Sequence, residues 1–403
     1  MKILLINTVC GTGSTGHIVK DLYESNKALG NEVKIIYGRG SSHGVPSEDA
    51  CCFNSKIDFY LHVLLSRLFD SQGLHSKKAT KKIIEYIEEF KPDIVHLHNI
   101  HGYFCNYKML FEYLASKNIK VVWTLHDCWS FTGHCAHFDY ADCDKWMTEC
   151  NKCPCKKEYP VSWLKDNSKN NFLQKKESFT SIKNLTVVCP SQWLKTKVEN
   201  SFLNKFSVKV INNGIDLSNF KRTDNHSFDN LIDRNKKTIL AVADVWTDRK
   251  GLSDLIELSK KLSDKYQVVV VGVNDKQFDK LKDTKIIPLK RTNNQKELAE
   301  LYSLATAFIN CTYEEVFGMV NVESQSCGTP VITYKTGGSV ESITKENGII
   351  VNQGSVDGLI EAIKKIESGN YDKKEISSKA CSLYSNSIMC KNYTKLYEDV
   401  VVL

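Results

Sequence analysis

The sequence predicts an α/β chain built from two doubly wound parallel-sheet domains, and three observations carry that prediction. Short β-branched runs alternate with helical periodicity along all 403 residues, the pattern of parallel strands joined by crossover helices. A chain this long exceeds one ordinary core, so two domains of roughly 200 residues each are expected. The alternation pauses once, in "VKVINNGIDLSNFKRTDNHSFDN" from Val208, where Asn-Asn-Gly turn chemistry suits a linker. The first domain is therefore assigned to residues 1–205 and the second to 206–385. The helical segment 386–403 is free to pack back on the first.

The first domain opens on the apolar run "KILLIN". Behind it Gly11, Gly13 and Gly16 fall at G-x-G-x-x-G spacing before a helical segment, where a dinucleotide fingerprint belongs. The second strand, "EVKIIYG", argues against that reading: a ribose hydroxyl wants an acid after it, and Arg39 stands there instead, which on its own hints at NADP and also fits a surface loop. Next, "IDFYLHVLLSRLF" from Ile57 is an amphipathic helix that belongs either to the core or to a membrane surface. "SKKATKKIIEYIEEF" from Ser76 is another, its basic face either solvated or set against anionic lipid or an acidic acceptor. The strand "DIVHLHN" carries His96 and His98, with His101 just beyond, and "KVVWTLHD" ends in His126-Asp127. "LTVVCPS" completes the set. Doubly wound sheets bind ligands outside the carboxyl ends of their strands, so two such domains imply a cleft. His98 and His126 would face it, unless they are satisfied structural histidines.

After the fourth of these strands, residues 128–160 form an insertion poor in aliphatic residues that holds Cys128, Cys135, Cys143, Cys150, Cys153 and Cys155. Cys135, Cys143, Cys150 and Cys153 include a C-x-x-C and enough loop to close a tetrahedral thiolate site, with Cys155 and His134 as substitute ligands. Structural zinc, unliganded packing thiols and redox chemistry are the three readings. Four thiolates leave no open position, so such a zinc would be structural rather than catalytic. No aromatic and basic interleaving surrounds the cysteines, which speaks against a nucleic-acid partner.

The second domain repeats the alternation with "KTILAVADV", "YQVVVVGV", "TKIIPL", "TAFINCT", "PVITY" and "GIIVN". Behind the first of these, "DRKGL" places Arg249 and Lys250 at a strand end, where cations can meet a leaving diphosphate or form an ordinary basic turn. Behind "TAFINCT" come Glu314 and Glu315, then a helix from about Gly318 to Ser326 that "CGTP" stops. Glu315 and Glu323 stand eight residues apart. At a helical rise of ~1.5 Å per residue that is about 12 Å, suited to a diphosphate. Backbone N–H groups of Phe317, Gly318, Met319 and Val320 would point at phosphate from the helix N-terminus, with a carboxylate reaching sugar hydroxyls on each side.

Composition narrows the classes. Hydrophobic content of 42%, charged content of 25% and seven prolines describe a soluble globular chain without a disordered arm. No apolar run approaches the ~20 residues of a membrane span, and Met1-Lys2 leads straight into a strand, so a cytoplasmic location is expected. There the fifteen cysteines should be thiols or metal ligands. Residues 1–205 hold 27 of the 54 Lys and Arg but 21 of the 47 Asp and Glu, so that half carries +6 of the net +7.

The E-x7-E element, with "GTPVI" and "TGG" behind it, resembles the signature of retaining glycosyltransferases of the GT-B fold, specifically family 4, and the resemblance covers nearly the whole chain. It implies two Rossmann-like domains facing each other across a cleft, with Glu315 on hydroxyls of the donor sugar and Glu323 on the nucleotide ribose. Gly318, Met319 and Val320 would give backbone contacts, Lys250 a cation for the diphosphate, and His126 a contact near the reacting centre. His98 would lie on the acceptor side, and Gly13 in a flexible loop that closes over the donor. Many relatives have Gly-Arg where this chain has Ala243-Asp244, so Arg249 is assigned the second cation. Asp216 matches a structural linker element.

The cysteine insertion after "TLHD" with its trailing "YP" narrows the resemblance to the branch that builds bacterial surface polysaccharides of the colanic-acid type. The implied activity is transfer of a hexose from a nucleotide diphosphate sugar, UDP or GDP first among them, to a saccharide acceptor carried on a polyprenyl diphosphate. That places the chain in the cytoplasm or at the inner face of the membrane. Front-face attack would retain the anomeric configuration with no cofactor required for catalysis, because two basic side chains do what a divalent ion does elsewhere. Another GT-B activity, such as an epimerase or a glycogen-type synthase, and a non-catalytic sugar-nucleotide-binding subunit are the alternatives.

Overall fold

Each of the eleven apolar runs becomes a strand of a parallel sheet in the computed structural model, which describes residues 1–225 and 227–402. The chain divides into two units, Met1–Asn212 with the chain from Met389 onward, and Asn213–Ile388. The first unit runs β1 (Lys2–Asn7), α1 (Gly13–Ala28), β2 (Glu32–Tyr37), β3 (Ala50–Cys51), α2 (Lys56–Phe69), α3 (Lys77–Phe90), β4 (Ile94–Leu97), α4 (Tyr107–Ser116), β5 (Val121–Thr124), α5 (Ser168–Phe179), β6 (Leu185–Cys189), α6 (Gln192–Glu199) and β7 (Ser207–Val210). Its sheet has the order β3-β2-β1-β4-β5-β6-β7. Ile3, Leu4, Leu5 and Ile6 are all buried, because a parallel sheet covered on both faces needs apolar residues at every position.

The second unit runs β8 (Lys237–Val242), α7 (Leu252–Lys261), β9 (Tyr266–Val271), α8 (Asp275–Leu281), β10 (Ile286–Leu289), α9 (Gln295–Leu304), β11 (Ala307–Asn310), α10 (Met319–Ser326), β12 (Val331–Tyr334), β13 (Gly348–Val351), α11 (Val356–Ser368) and α12 (Lys373–Tyr384), and its sheet order is β10-β9-β8-β11-β12-β13. In each sheet the strand order reverses once, between β1 and β4 and between β8 and β11. Such switch points are where doubly wound sheets take ligands. Gly11–Gly13 and His98 follow the strands of the first switch point, Arg249, Lys250 and Glu315 those of the second.

The last helix, α13 (Asn386–Val402), sends Met389, Tyr393, Leu396 and Tyr397 into the apolar core that Ile3, Leu5, Val19 and Ile35 share. Tyr397 Oη lies 2.6 Å from His96 Nδ1, and Thr124 Oγ1 bridges His96 Nε2 and Tyr393 Oη at 2.8 Å each. His96 is thus a satisfied core histidine.

One expectation is corrected, and one of two alternatives is removed. Residues from Val208 read as linker, yet Ser207–Val210 pair with β6 as an edge strand. The helix from Ile57 does not serve the core with its apolar side: α2 turns His62 and Ser66 inward and leaves Ile57, Tyr60, Leu61 and Leu64 exposed. The reason lies in polar demand beneath the helix. His62 Nδ1 lies 2.8 Å from Ser76 Oγ, and His62 Nε2 accepts from the Gly73 N–H at 3.1 Å, so a buried turn is satisfied by the imidazole.

Candidate active site

In the second unit the site begins at a close approach. Gly251, with φ +74°, opens α7, and a Cβ there would lie 2.3 Å from the Cys311 carbonyl oxygen. Only glycine lets the turn Asp248–Lys250 press against the end of β11. The Tyr313 N–H donates to the Arg249 carbonyl at 2.8 Å and locks the turn. From it Lys250 Nζ donates to Glu315 Oε2 at 2.9 Å, and Arg249 Nη1 stands 3.7 Å from Glu314 Oε2. Gly337, with φ +46°, closes the other side: a Cβ there would sit 1.9 Å from the Glu315 carbonyl, which accepts the Gly338 N–H at 2.9 Å. The "TGG" element therefore seats the backbone of Glu315.

Helix α10 starts behind Gly318, whose φ of +88° makes the sharp entry, with no side-chain cap and no acid in the first turn. The N–H groups of Met319 and Val320 have no intrahelical carbonyl one turn back, so the helix presents uncompensated donors and the positive end of its dipole. Phe317 gives only backbone here, since its side chain is buried with Ile215 and Val322. The helix is fixed from below: Asn321 Nδ2 donates to Ser339 O and Oγ at 3.0 Å, and Asn310 Nδ2 donates to Asn321 Oδ1 at 2.9 Å. One turn on, Glu323 accepts from Tyr302 Oη at 3.0 Å. Burial pushes its carboxyl up to about 7, and the tyrosine opposes the shift only in part.

In the first unit the structure brings His98 and His126 together, with Nδ1 and Nε2 3.0 Å apart and the rings stacked at 12°. Burial lowers His126 to about 4, with Asp127 opposing, and carries His98 well below the usual range. Both are neutral at pH 7, so the pair acts through hydrogen bonds rather than charge. Burial raises the Asp127 carboxyl, but His101, whose Nε2 lies 3.0 Å from Oδ2, outweighs it and holds the group at about 2. Of the three glycines, Gly11 is a packing residue, since a Cβ would meet the His43 carbonyl at 2.7 Å, and Gly16 abuts Val9. Gly13, with φ +63°, has open space where its Cβ would be. Arg39 stacks over the Phe59 ring at 5.6 Å, as a surface-loop residue does.

Sequence reasoning passed over Glu314 as a turn acid and did not single out Tyr302. It assigned no partner to Asp244, to whose Oδ1 Arg291 Nη2 donates at 2.8 Å. Arg291 follows β10, and its pairing with a residue after β8 had no signal in the sequence.

Two family descriptions match the chain, "Glycosyltransferase Family 4" over residues 15–219 and "Glycosyl transferases group 1" over residues 222–382. The chain belongs to glycosyltransferase family 4. This glycosyltransferase is 23% identical over 415 residues to "Putative colanic acid biosynthesis glycosyl transferase WcaC" of Escherichia coli (strain K12), covering 99% of the chain and 100% of that relative. It is 23% identical over 326 residues to an uncharacterized 41.2 kDa protein in the cps region of Klebsiella pneumoniae, across 79% of the chain and 82% of that protein. Its fold is that of the Anabaena HepE structure in complex with UDP-glucose, with a TM-score of 0.67 at 15% identity over 99% of this chain and 100% of the other. Sucrose-phosphate synthase from Thermosynechococcus elongatus shares it with a TM-score of 0.68 at 15% identity, over 100% and 99%. The architecture is thus GT-B.

In the first unit of this glycosyltransferase the cysteine insertion packs on the loop after β4: His101 Nδ1 lies 3.1 Å from Tyr159 Oη, and the His101 ring sits 4.9 Å from that of Trp129. Cys135, Cys143, Cys150 and Cys153 all line one small cavity. Among the described residues, no three His, Cys, Asp or Glu side chains stand together in metal-holding geometry.

Proposed function

We propose that this glycosyltransferase moves a hexose from a nucleotide diphosphate sugar to a saccharide acceptor, with retention of configuration, in the synthesis of a bacterial surface polysaccharide. The observation that carries the reading is the second-unit switch point. Lys250 pairs with Glu315 there, and the open N-terminus of α10 supplies donors for a diphosphate. Glu315 then holds sugar hydroxyls and Glu323 the ribose. Lys250 is released toward the phosphates as donor binds, while Arg249 adds charge. Gly13 gives the approach its loop needs. His126, with His98 behind it, offers a neutral hydrogen bond to the sugar and its acceptor. The acceptor hydroxyl gives its proton to the departing phosphate oxygen on the same face, so the protein contributes position and electrostatics. Solved structures of the same fold with UDP and UDP-glucose favour a uridine donor. The colanic-acid and cps-region relatives favour the polysaccharide setting.

The same reading puts the acceptor on a lipid carrier. It is supported by α2, whose exposed Ile57, Tyr60, Leu61 and Leu64 form an apolar face with Trp163 and Leu164 beside it. Among the described residues no helix is long and apolar enough to cross a membrane. The test is transfer from a panel of UDP, GDP, ADP and dTDP sugars, followed by NMR of the product's anomeric proton. A retained hexosyl product is expected. An inverted anomer, or no transfer from any donor to lipid-linked saccharides, overturns the reading.

A further inference from the structure

The loop after β4 and the end of β5 are tied together twice. His98 meets His126, and beside that contact His101 Nε2, buried and without an aligned hydrogen-bond partner, stands 3.0 Å from Asp127 Oδ2. Contacts of this kind tighten in the working complex. The other carboxylate oxygen, Oδ1, accepts the Trp129 N–H at 2.9 Å, so Asp127 is held from both sides.

The loop that carries the two histidines has little freedom of its own. Thr8 Oγ1 donates to the Asn99 carbonyl at 2.7 Å, Trp123 Nε1 donates to that of His98 at 3.0 Å, and a Cβ on Gly102 would lie 2.2 Å from Thr8 Oγ1. The backbone thus fixes where His101 starts. Its ring packs on Trp129, whose other neighbour is the ammonium of Lys175, 3.5 Å from the centre of the indole and donating to the Trp129 and Thr132 carbonyls at 2.7 and 3.0 Å.

Behind His101 the chain of partners continues into the insertion. Tyr159 Oη lies 3.1 Å from His101 Nδ1, and Gln72 Nε2 donates to the same Oη at 3.1 Å and to the His101 carbonyl at 2.7 Å. That carbonyl can only accept, which orients the Gln72 amide. The Asp127 carboxyl, held at about 2 by His101 against its burial, is ionised at neutral pH and also only accepts, so the imidazole proton belongs on Nε2. Nδ1 is then the acceptor for the Tyr159 O–H, and the Tyr159 oxygen takes the Gln72 proton.

We propose that His101 and Tyr159 are positioning residues of the transfer reaction. Tyr159 sets the tautomer of His101, and His101 holds Asp127, so that the adjoining His126 keeps its ring in place for the sugar. The inference rests on the reading that His126 meets the sugar near the reacting centre. Neither His101 nor Tyr159 needs to touch substrate, and the insertion is the arm that delivers Tyr159 to the strand ends.

The experiment is steady-state transfer from the sugar nucleotide that the donor panel selects, by the full chain and its variants, beside thermal melts. His126→Ala should lose most activity. Tyr159→Phe and His101→Leu should lower kcat about 10–10²-fold while the donor KM moves less than about twofold, since a misplaced ring weakens the transition state and not donor binding. His101→Gln should recover most of what His101→Leu loses, because its amide can donate to Asp127 from one end and accept from Tyr159 at the other. Heteronuclear NMR of the imidazoles should show the signal absent from His101→Gln as an Nε2–H tautomer. Full kcat in Tyr159→Phe or in His101→Leu, with His126→Ala inactive, overturns the inference and leaves the role of His126 standing. So does an Nδ1–H tautomer, or a His101→Gln enzyme no better than His101→Leu. Full activity in His126→Ala, or no transfer from any sugar nucleotide by the unsubstituted chain, overturns the underlying reading and this inference with it. Should His101→Leu fail to fold, Tyr159→Phe and the NMR spectrum decide.

Discussion

Lys250 and Glu315 are each about three-quarters buried and pair at 2.9 Å. A partly exposed ion pair is worth little to stability, ~0–1 kcal/mol, whereas a cation facing a leaving diphosphate in a water-poor site is worth several. Lys250→Ala should therefore leave the melting temperature nearly unchanged and cut kcat by about 10²–10³-fold. Steady-state kinetics beside a thermal melt reads both, and a fully active variant removes Lys250 from the diphosphate. Glu323 makes a different prediction, because its carboxyl is raised to about 7 from an ordinary 4.5. Between those values the native chain binds more protons than the unfolded one, so this group's contribution to stability falls as pH rises through the window. Glu323→Gln should melt higher than the parent at about pH 8 and equally at about pH 4, below both values. Nucleotide binding should show the opposite trend: a carboxylate is needed to accept ribose hydroxyls, so affinity of the parent rises through pH 7 and that rise is absent in the variant. Calorimetry showing a parent affinity flat from pH 6 to 8, numbers that bracket the folded value, would detach Glu323 from the ribose.

At the scale of elements, what was legible in the sequence was what burial imposes on composition. β1, β8 and β9 are apolar along their length because both faces of a parallel sheet are covered, and each announced itself. β7 did not, since three of its four residues are exposed at the sheet edge and an edge strand needs no apolar run. β3 has two residues, too few for any period. Helical periodicity disclosed that α2 is amphipathic but not which face turns inward, since a buried His62 outbid the leucines for the interior. The same limit applies to the site. The E-x7-E spacing lies within one strand–turn–helix unit and was readable, while the approach of His98 to His126 depends on the register of β4 against β5 and the Arg291–Asp244 pair on that of β10, β9 and β8. Glycine identities are readable once geometry is known, and two of them predict different balances of stability and activity. Gly251→Ala combines φ +74° with a contact of 2.3 Å to the Cys311 carbonyl, so the DRK turn must move. It should cost at least ~1–3 kcal/mol and activity together. Gly13→Ala meets nothing within 4 Å and bears only the backbone cost of φ +63°, ~1–2 kcal/mol. Its activity should fall further than that stability loss explains; an unchanged KM for donor in a folded Gly13→Ala enzyme would return Gly13 to a purely conformational role.

For the molecule as a whole, the question is how a chain without a membrane-spanning helix among its described residues would reach the lipid-carried acceptor proposed for it. The first half carries +6 of the net +7, and that field extends only about 8 Å at physiological ionic strength, so charge guides approach but does not hold the protein down. Apolar insertion would. Ile57 is 82% exposed, Tyr60 68% and Leu164 69%, and the Arg67 and Lys165 cations lie over the rings of Trp163 and Phe69 at 5.1 and 5.2 Å. That is an apolar surface fringed with cations, the composition of an interfacial anchor. Each Lys or Arg near an anionic surface adds ~1 kcal/mol that salt removes, while buried apolar area is insensitive to salt. Sedimentation with vesicles containing anionic lipid should therefore show binding that weakens but persists at ~1 M salt, where the screening length is about 3 Å. Replacing Ile57 and Leu61 with Asp should abolish the persistent part and leave transfer to a water-soluble acceptor untouched, because both side chains are exposed. Binding that disappears entirely at high salt, or a doubly substituted chain that still sediments, would show that the exposed face of α2 is not what meets the membrane.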